Sequence, residues 1–283
     1  MLMVRQPYAR NFYPGDCRTQ IEQFLKGYKL PEEPVLAVAG IVPHAGWVFS
    51  GAVAAKVFKC ISLKTRPDTF ILLGAVHTWR PRGNSVYSRG AWTTPLGDVK
   101  IDEEVAAALT KALAGDVIED PEAHAGEHSL EVQVPLIKFL CPEAKIVPIA
   151  MPPDENAHIT GRKLGEAASG MGKIIVVVGT TDLTHYGDPY GFTPFGYGPE
   201  AKKKMKENDA RIIELALRMK AADIRKEAQK SHNACGSGAL AATVAAAKAM
   251  GAEKGQLIEY TTSHDVMAEG EFDMAVGYAG IIF

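Results

Sequence analysis

Three histidines in this chain share one local pattern. His44, His77 and His185 each come a few residues after an apolar, β-branched run: Val35–Val42, Thr69–Leu73 and Lys173–Val178. A lone histidine after a strand is ordinarily a hydrogen-bonded loop residue. Three with the same strand–turn–His grammar point to a site, because ligands of open α/β sheets bind beyond the carboxyl ends of the strands. Imidazole serves such a site in two ways. Its neutral form is the commonest metal ligand, and an ordinary pKa of about 6.5 makes it a ready proton carrier.

Cys235 lies in Ser231-His-Asn-Ala-Cys-Gly-Ser-Gly238, just ahead of an alanine-rich stretch. A thiol at a helix N-terminus feels the positive end of the helix dipole, which favours the thiolate that binds metals or attacks electrophiles. The same residues also read as tight packing at the start of a helix, with Gly236 and Gly238 serving contact, and both readings stay open. His128, in Glu127-His128-Ser129, either caps a helix or donates a proton into the site. Asp182 either orients His185 or caps its turn. His124 and His158 read as surface residues, while His232 and His264 carry no local mark. Trp47, Trp79 and Trp92 read as core or pocket wall. The chain has no Walker loop, no GxGxxG after a strand, no GxSxG and no HExxH, so nucleotide-binding and serine-hydrolase classes lack their motifs.

Strand-like and helical patterns alternate from end to end with no repeat, low-complexity tract or Gly/Ser linker, which predicts one layered α/β domain over residues 1–283. Helices are expected from Asp16, a capping residue, to about Lys26; after Gly46; from Asp102 to Leu113; over Leu130–Leu140 with Pro135 bending or interrupting it; and near 158–169, 199–218, 220–230 and 237–250. Further strands are expected at Lys145–Ala150, 256–262 and 272–282. Residues 80–100, rich in Gly, Pro and Thr, read as a loop or hairpin excursion.

The chain has 283 residues, 47% hydrophobic and 23% charged, with 31 basic against 33 acidic side chains for a net charge of −2. That field steers neither nucleic acid nor an anionic membrane. The basic run Lys202–Lys206, beside Glu200, Glu207 and Asp209, reads as a solvated helix face. No apolar run approaches the ~18 residues that span a bilayer, and the N-terminus lacks the apolar core of a signal peptide. These features predict a cytoplasmic protein whose four cysteines, Cys17, Cys60, Cys141 and Cys235, are free thiols.

The chain resembles the Memo-like family. The resemblance rests on Pro43-His44-Ala45-Gly46-Trp47 with Ser50-Gly51, Leu73-Gly74-Ala75-Val76-His77, Thr94-Pro95-Leu96-Gly97, Glu127-His128-Ser129-Leu130-Glu131, Thr181-Asp182-Leu183-Thr184-His185-Tyr186 and Ala234-Cys235-Gly236, which follow one another in family order. The start, with Ala9 and Tyr13-Pro14, resembles the family's opening. The resemblance implies a three-layer α/β/α domain with a central mixed sheet, like class III extradiol (non-haem iron) dioxygenases. It implies metal ligands at His44, His77 and Cys235, an acid/base role for His185 helped by His128, and Asp182 orienting His185. Fe(II) is the first expectation, with Cu or Zn as alternatives, and no separate cofactor-binding residues are expected. Where the dioxygenases place a carboxylate this chain places Cys235, and thiolate favours Cu(I) or Zn over Fe(II) relative to carboxylate. Ring cleavage is therefore not carried over with the fold. Ala75, Val76 and Thr78 also depart from the commoner Gly-Pro-Ser-His-His pattern, losing a neighbouring donor but keeping His77.

The function so implied is a metal-dependent redox or oxygen-using enzyme acting on a small organic substrate, in functional association with AMMECR-type and radical-SAM proteins. The alternatives are a peptide- or phosphopeptide-recognising adaptor, as animal relatives are described, and a metal-handling protein using the same pocket. Phosphopeptide capture calls for an arginine cluster, and Arg80, Arg82 and Arg89 are the nearest arginines to the motifs.

Overall fold

Apolar residues in the central strands alternate between two destinations, which decides the layering. In a computed structural model describing residues 3–31, 37–78, 83–267 and 270–283, the strands are β1 (Val4–Arg5), β2 (Ala39–Val42), β3 (Thr69–Gly74), β4 (Asn84–Val86), β5 (Ala91–Trp92), β6 (Val99–Lys100), β7 (Val117–Glu119), β8 (Lys145–Ala150), β9 (Ile175–Thr180), β10 (His185–Tyr186), β11 (Gln256–Thr262) and β12 (Ala275–Ile282). The helices are α1 (Cys17–Leu25), α2 (Trp47–Lys64), α3 (Glu103–Ala112), α4 (Val134–Leu140), α5 (Ala157–Ser169), α6 (Gly198–Leu217), α7 (Ala221–Ser231), α8 (Ser237–Ala249) and α9 (Ser263–Met267). Ile41, Ile71, Leu73, Val147 and Val177 pack with α3, α5, α6, α7 and α8. Their neighbours Val42, Phe70, Leu72, Ile146, Val176 and Val178 pack with α1, α2 and α4. A period of two with both faces covered gives the continuous apolar runs of a buried sheet between two helical layers.

The main sheet runs β10-β12-β2-β9-β3-β8-β4-β7, with β11 also paired to β12. Its centre is parallel: β2 pairs with β9, β9 with β3 and β3 with β8. Antiparallel β12 and β4 flank that centre, making the sheet mixed. The expected excursion at 80–100 is used differently in its two halves. β4 extends the main sheet, while β5 and β6 join β1 in a three-stranded sheet of their own. Part of the strand expected from Val35, with Trp79, Arg80 and Arg82, falls outside the described residues.

Two sequence expectations are corrected, and a third holds. Pro135 neither bends nor interrupts a helix. It sits in the first turn of α4, after a 3-10 turn at Glu131–Gln133, where its missing N–H has no intrahelical partner to lose. The lysine run of α6 is a solvated face as expected, with Glu200, Lys203, Lys204 and Glu207 exposed, although Asp209 beside it is buried. Lys202 and Lys206 both pair with Asp265. His124 is fully buried rather than on the surface. Its ring packs edge-on against Tyr87 and Trp92, and Nε2 lies 2.9 Å from the Ser85 carbonyl.

Beside His124, Arg5 ties the N-terminal segment to the loop that enters α4. Its guanidinium stacks over Trp92 and donates to the carbonyls of His124 and Glu127 and to the Glu131 carboxylate. Glu131 also accepts from the backbone N–H groups of Tyr8 and Ala9 and from the Tyr13 hydroxyl. A buried carboxylate with this many donors is fully satisfied, and breaking such a pair is costly.

Helices α5 and α8 touch backbone to backbone. A Cβ on Gly161 would stand inside contact distance of the Ala242 carbonyl. Gly161→Ala should therefore cost roughly 1–3 kcal/mol in urea denaturation, whereas Gly15→Ala, with open space around it, should change stability by less than about 0.5 kcal/mol. Burial holds the His124 imidazole down to about 4. The unfolded chain takes that proton near pH 6.5, so the contribution is whole above pH 6.5 and is lost as pH falls towards 4. The loss should amount to roughly 3 kcal/mol. Urea midpoints measured from pH 7 to pH 4 should fall more steeply for the wild type than for His124→Gln, which keeps a donor but not the titration.

Candidate functional site

Because β2, β9 and β3 are parallel neighbours, their carboxyl ends lie side by side and the three expected histidines leave the sheet at one edge. His44 follows β2 and precedes α2. It is almost fully buried, and its backbone N–H donates to the Asp182 carboxylate at 2.7 Å. Its ring Nε2 is 3.2 Å from the Cys235 sulfur and 4.0 Å from the other Asp182 oxygen. Its Nδ1 is buried without a hydrogen-bond partner. Burial pushes His44 well below the ordinary imidazole range, and neighbouring His77 and His128 push the same way. The ring is therefore neutral, the form that ligates metals.

His77 follows β3 and is held by Glu127, a residue the sequence quoted only as a flank of His128. The Glu127 carboxylate accepts from His77 N–H at 2.6 Å, faces His77 Nδ1 at 3.0 Å, and accepts from His128 and Ser129 N–H. Burial alone would raise Glu127, but these donors hold it down to about 2. Burial pulls His77 down too, yet the adjacent carboxylate outweighs it and the net shift is upward. A carboxylate on Nδ1 fixes the ring with Nε2 turned away from it, the arrangement that orients metal-bound histidines. His128 stacks on His77 with centroids 4.5 Å apart and packs against Phe12. Burial, and then the charge on His77, lower its pKa.

Cys235 precedes α8 and is locked to the end of β9. Its N–H donates to the Asp182 carbonyl, and its sulfur accepts from the Asp182 N–H at 3.3 Å. The N–H of Gly236 donates to the Thr181 hydroxyl. A side chain on Gly236 would collide with the Thr180 carbonyl, so the packing role expected for this glycine is present alongside the cysteine. The thiolate, the other reading left open, is disfavoured by the surroundings. Burial, and then the Asp182 carboxylate, push the thiol up to about 12, outweighing the N–H groups that would favour ionisation.

Of the residues proposed from sequence, His44, His77 and Cys235 come together: one ligand atom from each lies within 4.8 Å of the others. A second group within the same limit is His77, Glu127 and His128. His185 stands apart, on β10 against β12. Its Nδ1 faces the Leu183 carbonyl at 3.0 Å, an acceptor that favours hydrogen on Nδ1 and leaves Nε2 turned away from it. Its ring meets Tyr190 edge-on. Asp182 contacts His44 and Cys235, and its pKa is raised by burial. His44, His77, His128, Asp182 and His185 line one cavity of about 580 Å³, which Phe12, Phe49, Tyr190, Met274, Val276 and Tyr278 complete on an apolar side. His264, unmarked in the sequence, also lines it. Among the described residues no helix is long and apolar enough to cross a membrane.

The family model for Memo-like protein matches residues 6–282. A MEMO1 family protein of Thermococcus onnurineus is 37% identical over 292 aligned residues, covering 99% of each chain. One from Methanopyrus kandleri is 37% identical over 296, again covering 99% of each. The crystal structure of an uncharacterized Escherichia coli K12 protein superposes with a TM-score of 0.52 at 14% identity, covering 86% of this chain and 98% of that one, which shows a shared fold. With the whole chain matched in this way, the protein belongs to the Memo-like family.

Proposed function

We propose that the protein is a metal-dependent, oxidoreductase-type enzyme. In this reading His44, His77 and Cys235 hold one iron or copper ion, and a small organic substrate occupies the adjoining cavity. The observation that carries the reading is the convergence of two imidazoles and a thiol within 4.8 Å, one imidazole kept neutral by burial and the other oriented by Glu127. Ligands of one tetrahedral ion stand ~3.6 Å apart for bonds of about 2.0–2.3 Å, and the 3.2 Å between His44 Nε2 and the Cys235 sulfur approaches that spacing. A bound cation would supply Lewis acidity or an electron, and would favour the Cys235 thiolate that burial otherwise opposes.

The chain's own groups have separable tasks. Glu127 fixes the His77 ring. His185 Nε2 accepts a proton on the cavity side, and His128 stands beside His77 as a second proton carrier. The apolar wall of Phe12, Phe49 and Val276 keeps water from the substrate.

Two competing readings fit the geometry less well. A cysteine nucleophile wants a lowered thiol pKa and a carboxylate on the far nitrogen of its histidine. Here the thiol is pushed up, Asp182 lies on the Nε2 side of His44, and Nδ1 has no partner. Phosphopeptide capture wants basic side chains, and among the described residues no arginine or lysine lines the cavity.

Protein purified without oxygen should contain or take up about one Fe(II) or Cu(I) per chain, with Zn(II) as competitor, measured by elemental analysis. His44→Ala, His77→Ala and Cys235→Ser should each abolish uptake, and a wild type that takes up none of the three ions would overturn the reading. Glu127→Gln keeps all three donors but loses the charge on His77 Nδ1, and should weaken metal binding by roughly 10- to 100-fold in a competitive chelator titration.

A further inference from the structure

One turn of α6 reaches both loops that carry the site's chemistry, although it lines no part of the cavity. The Asn208 amide is buried, and its Nδ2 donates to two of those loops at once: to the Thr184 hydroxyl at 3.0 Å, next to His185, and to the Ser231 carbonyl at 2.8 Å, at the start of the segment leading to Cys235. The Asn208 backbone carbonyl accepts from Asn233 Nδ2 at 2.8 Å, two residues before Cys235. Arg211 donates to Asn208 Oδ1, which fixes the amide orientation. The next residue, Asp209, accepts from the Thr184 N–H at 2.9 Å and from the Tyr260 hydroxyl at 2.8 Å. Thr184, Asn208, Asp209 and Asn233 are all buried, so water does not substitute for these bonds at low cost.

Asn208 thus bridges two segments far apart in sequence, one bearing Asp182 and His185, the other Cys235. A metal ligand held 1 Å out of place loses much of its affinity, and outer hydrogen bonds are what hold it. We infer that Asn208 is a positioning residue that sets the Cys235 sulfur and the His185 ring in register with each other, with Asp209 anchoring the His185 side alone. This inference rests on the metal-centre reading for the use of the site, but the positioning itself is measurable without a metal.

The test compares the wild type with Asn208→Ala, the near-isosteric Asn208→Asp, which lacks both Nδ2 donors, and Asp209→Asn. Co(II) is the probe, read by its thiolate charge-transfer band and by titration. Ring ¹⁵N shifts of His185 and the Cβ shift of Cys235 are recorded on metal-free protein. Both Asn208 variants should bind Co(II) about tenfold more weakly, with an altered thiolate band and a shifted His185 tautomer signal. Asp209→Asn, which keeps an acceptor for Thr184, should stay near wild type. Asp102→Ala removes a buried cap from the opposite edge of the sheet, where Asp102 bonds Thr69 and Val105. It should lower stability while leaving Co(II) affinity unchanged, which separates positioning from general destabilisation. Unchanged Co(II) affinity, band and His185 signals in both Asn208 variants would overturn the inference. A wild type that binds no Co(II) would count against the metal centre, and the metal-free shifts of His185 and Cys235 would still decide whether Asn208 positions them.

Discussion

Parallel pairing of β2, β9 and β3 is the constraint on which the rest of the molecule depends. Parallel neighbours end at the same edge, so residues following each strand are brought together whatever their distance along the chain. His44, His77 and the Asp182–His185 segment meet for that reason. The pairing also requires covered faces, which accounts for the alternating apolar sets that bind one helical layer to each side of the sheet. Antiparallel β12 adds the wall against which His185 is set, and contributes Val276 and Tyr278 to the cavity.

Around that edge the protein keeps polar groups out of water and satisfies nearly all of them with other protein groups. Glu131 gathers the N-terminal segment, Glu127 gathers the His77 and His128 backbone, and Asp182 gathers His44 and Cys235. All three carboxylates are buried; those of Glu131 and Glu127 accept several N–H or O–H donors, while Asp182 accepts the His44 N–H on its carboxylate and holds Cys235 through its backbone. Among the atoms left without a partner are the ring Nδ1 of His44, and nearby Thr78 Oγ1, Thr180 Oγ1 and His264 Nε2. An unpaired buried polar atom is costly. The His44 one belongs to a residue whose other nitrogen faces a thiol.

Much of this arrangement was legible in the sequence. Apolar runs fixed the central strands, and Asp16 and Asp102 cap helices as their chemistry suggests, each accepting from a backbone N–H three residues on. The strand–turn–His pattern anticipated that His44, His77 and His185 face one cavity, because it depends on local order and on sheet topology, both of which leave marks in the chain. Charge environment leaves far fewer. Glu127 looked like an ordinary polar neighbour, and nothing local says that its carboxylate will close on a histidine fifty positions earlier. For Cys235 the place before a helix left the thiolate and the packing readings both open, and burial beside Asp182 is a tertiary fact that outweighs the dipole. His124 was misread for the same reason: a polar residue in a polar stretch reads as surface until Trp92 and Tyr87 are seen to enclose it.

The scattered origin of the clustered donors has a consequence for biosynthesis. His44 and His77 follow two different strands and Cys235 lies in the loop before α8, so no two of them are near each other in an extended chain. An unfolded chain therefore does not bring these three donors together, unlike a zinc finger, whose ligands sit close together and whose folding waits on the ion. On the proposed reading, an ion would enter a cluster already assembled by the closed sheet, and the fold's own stability would stand without it.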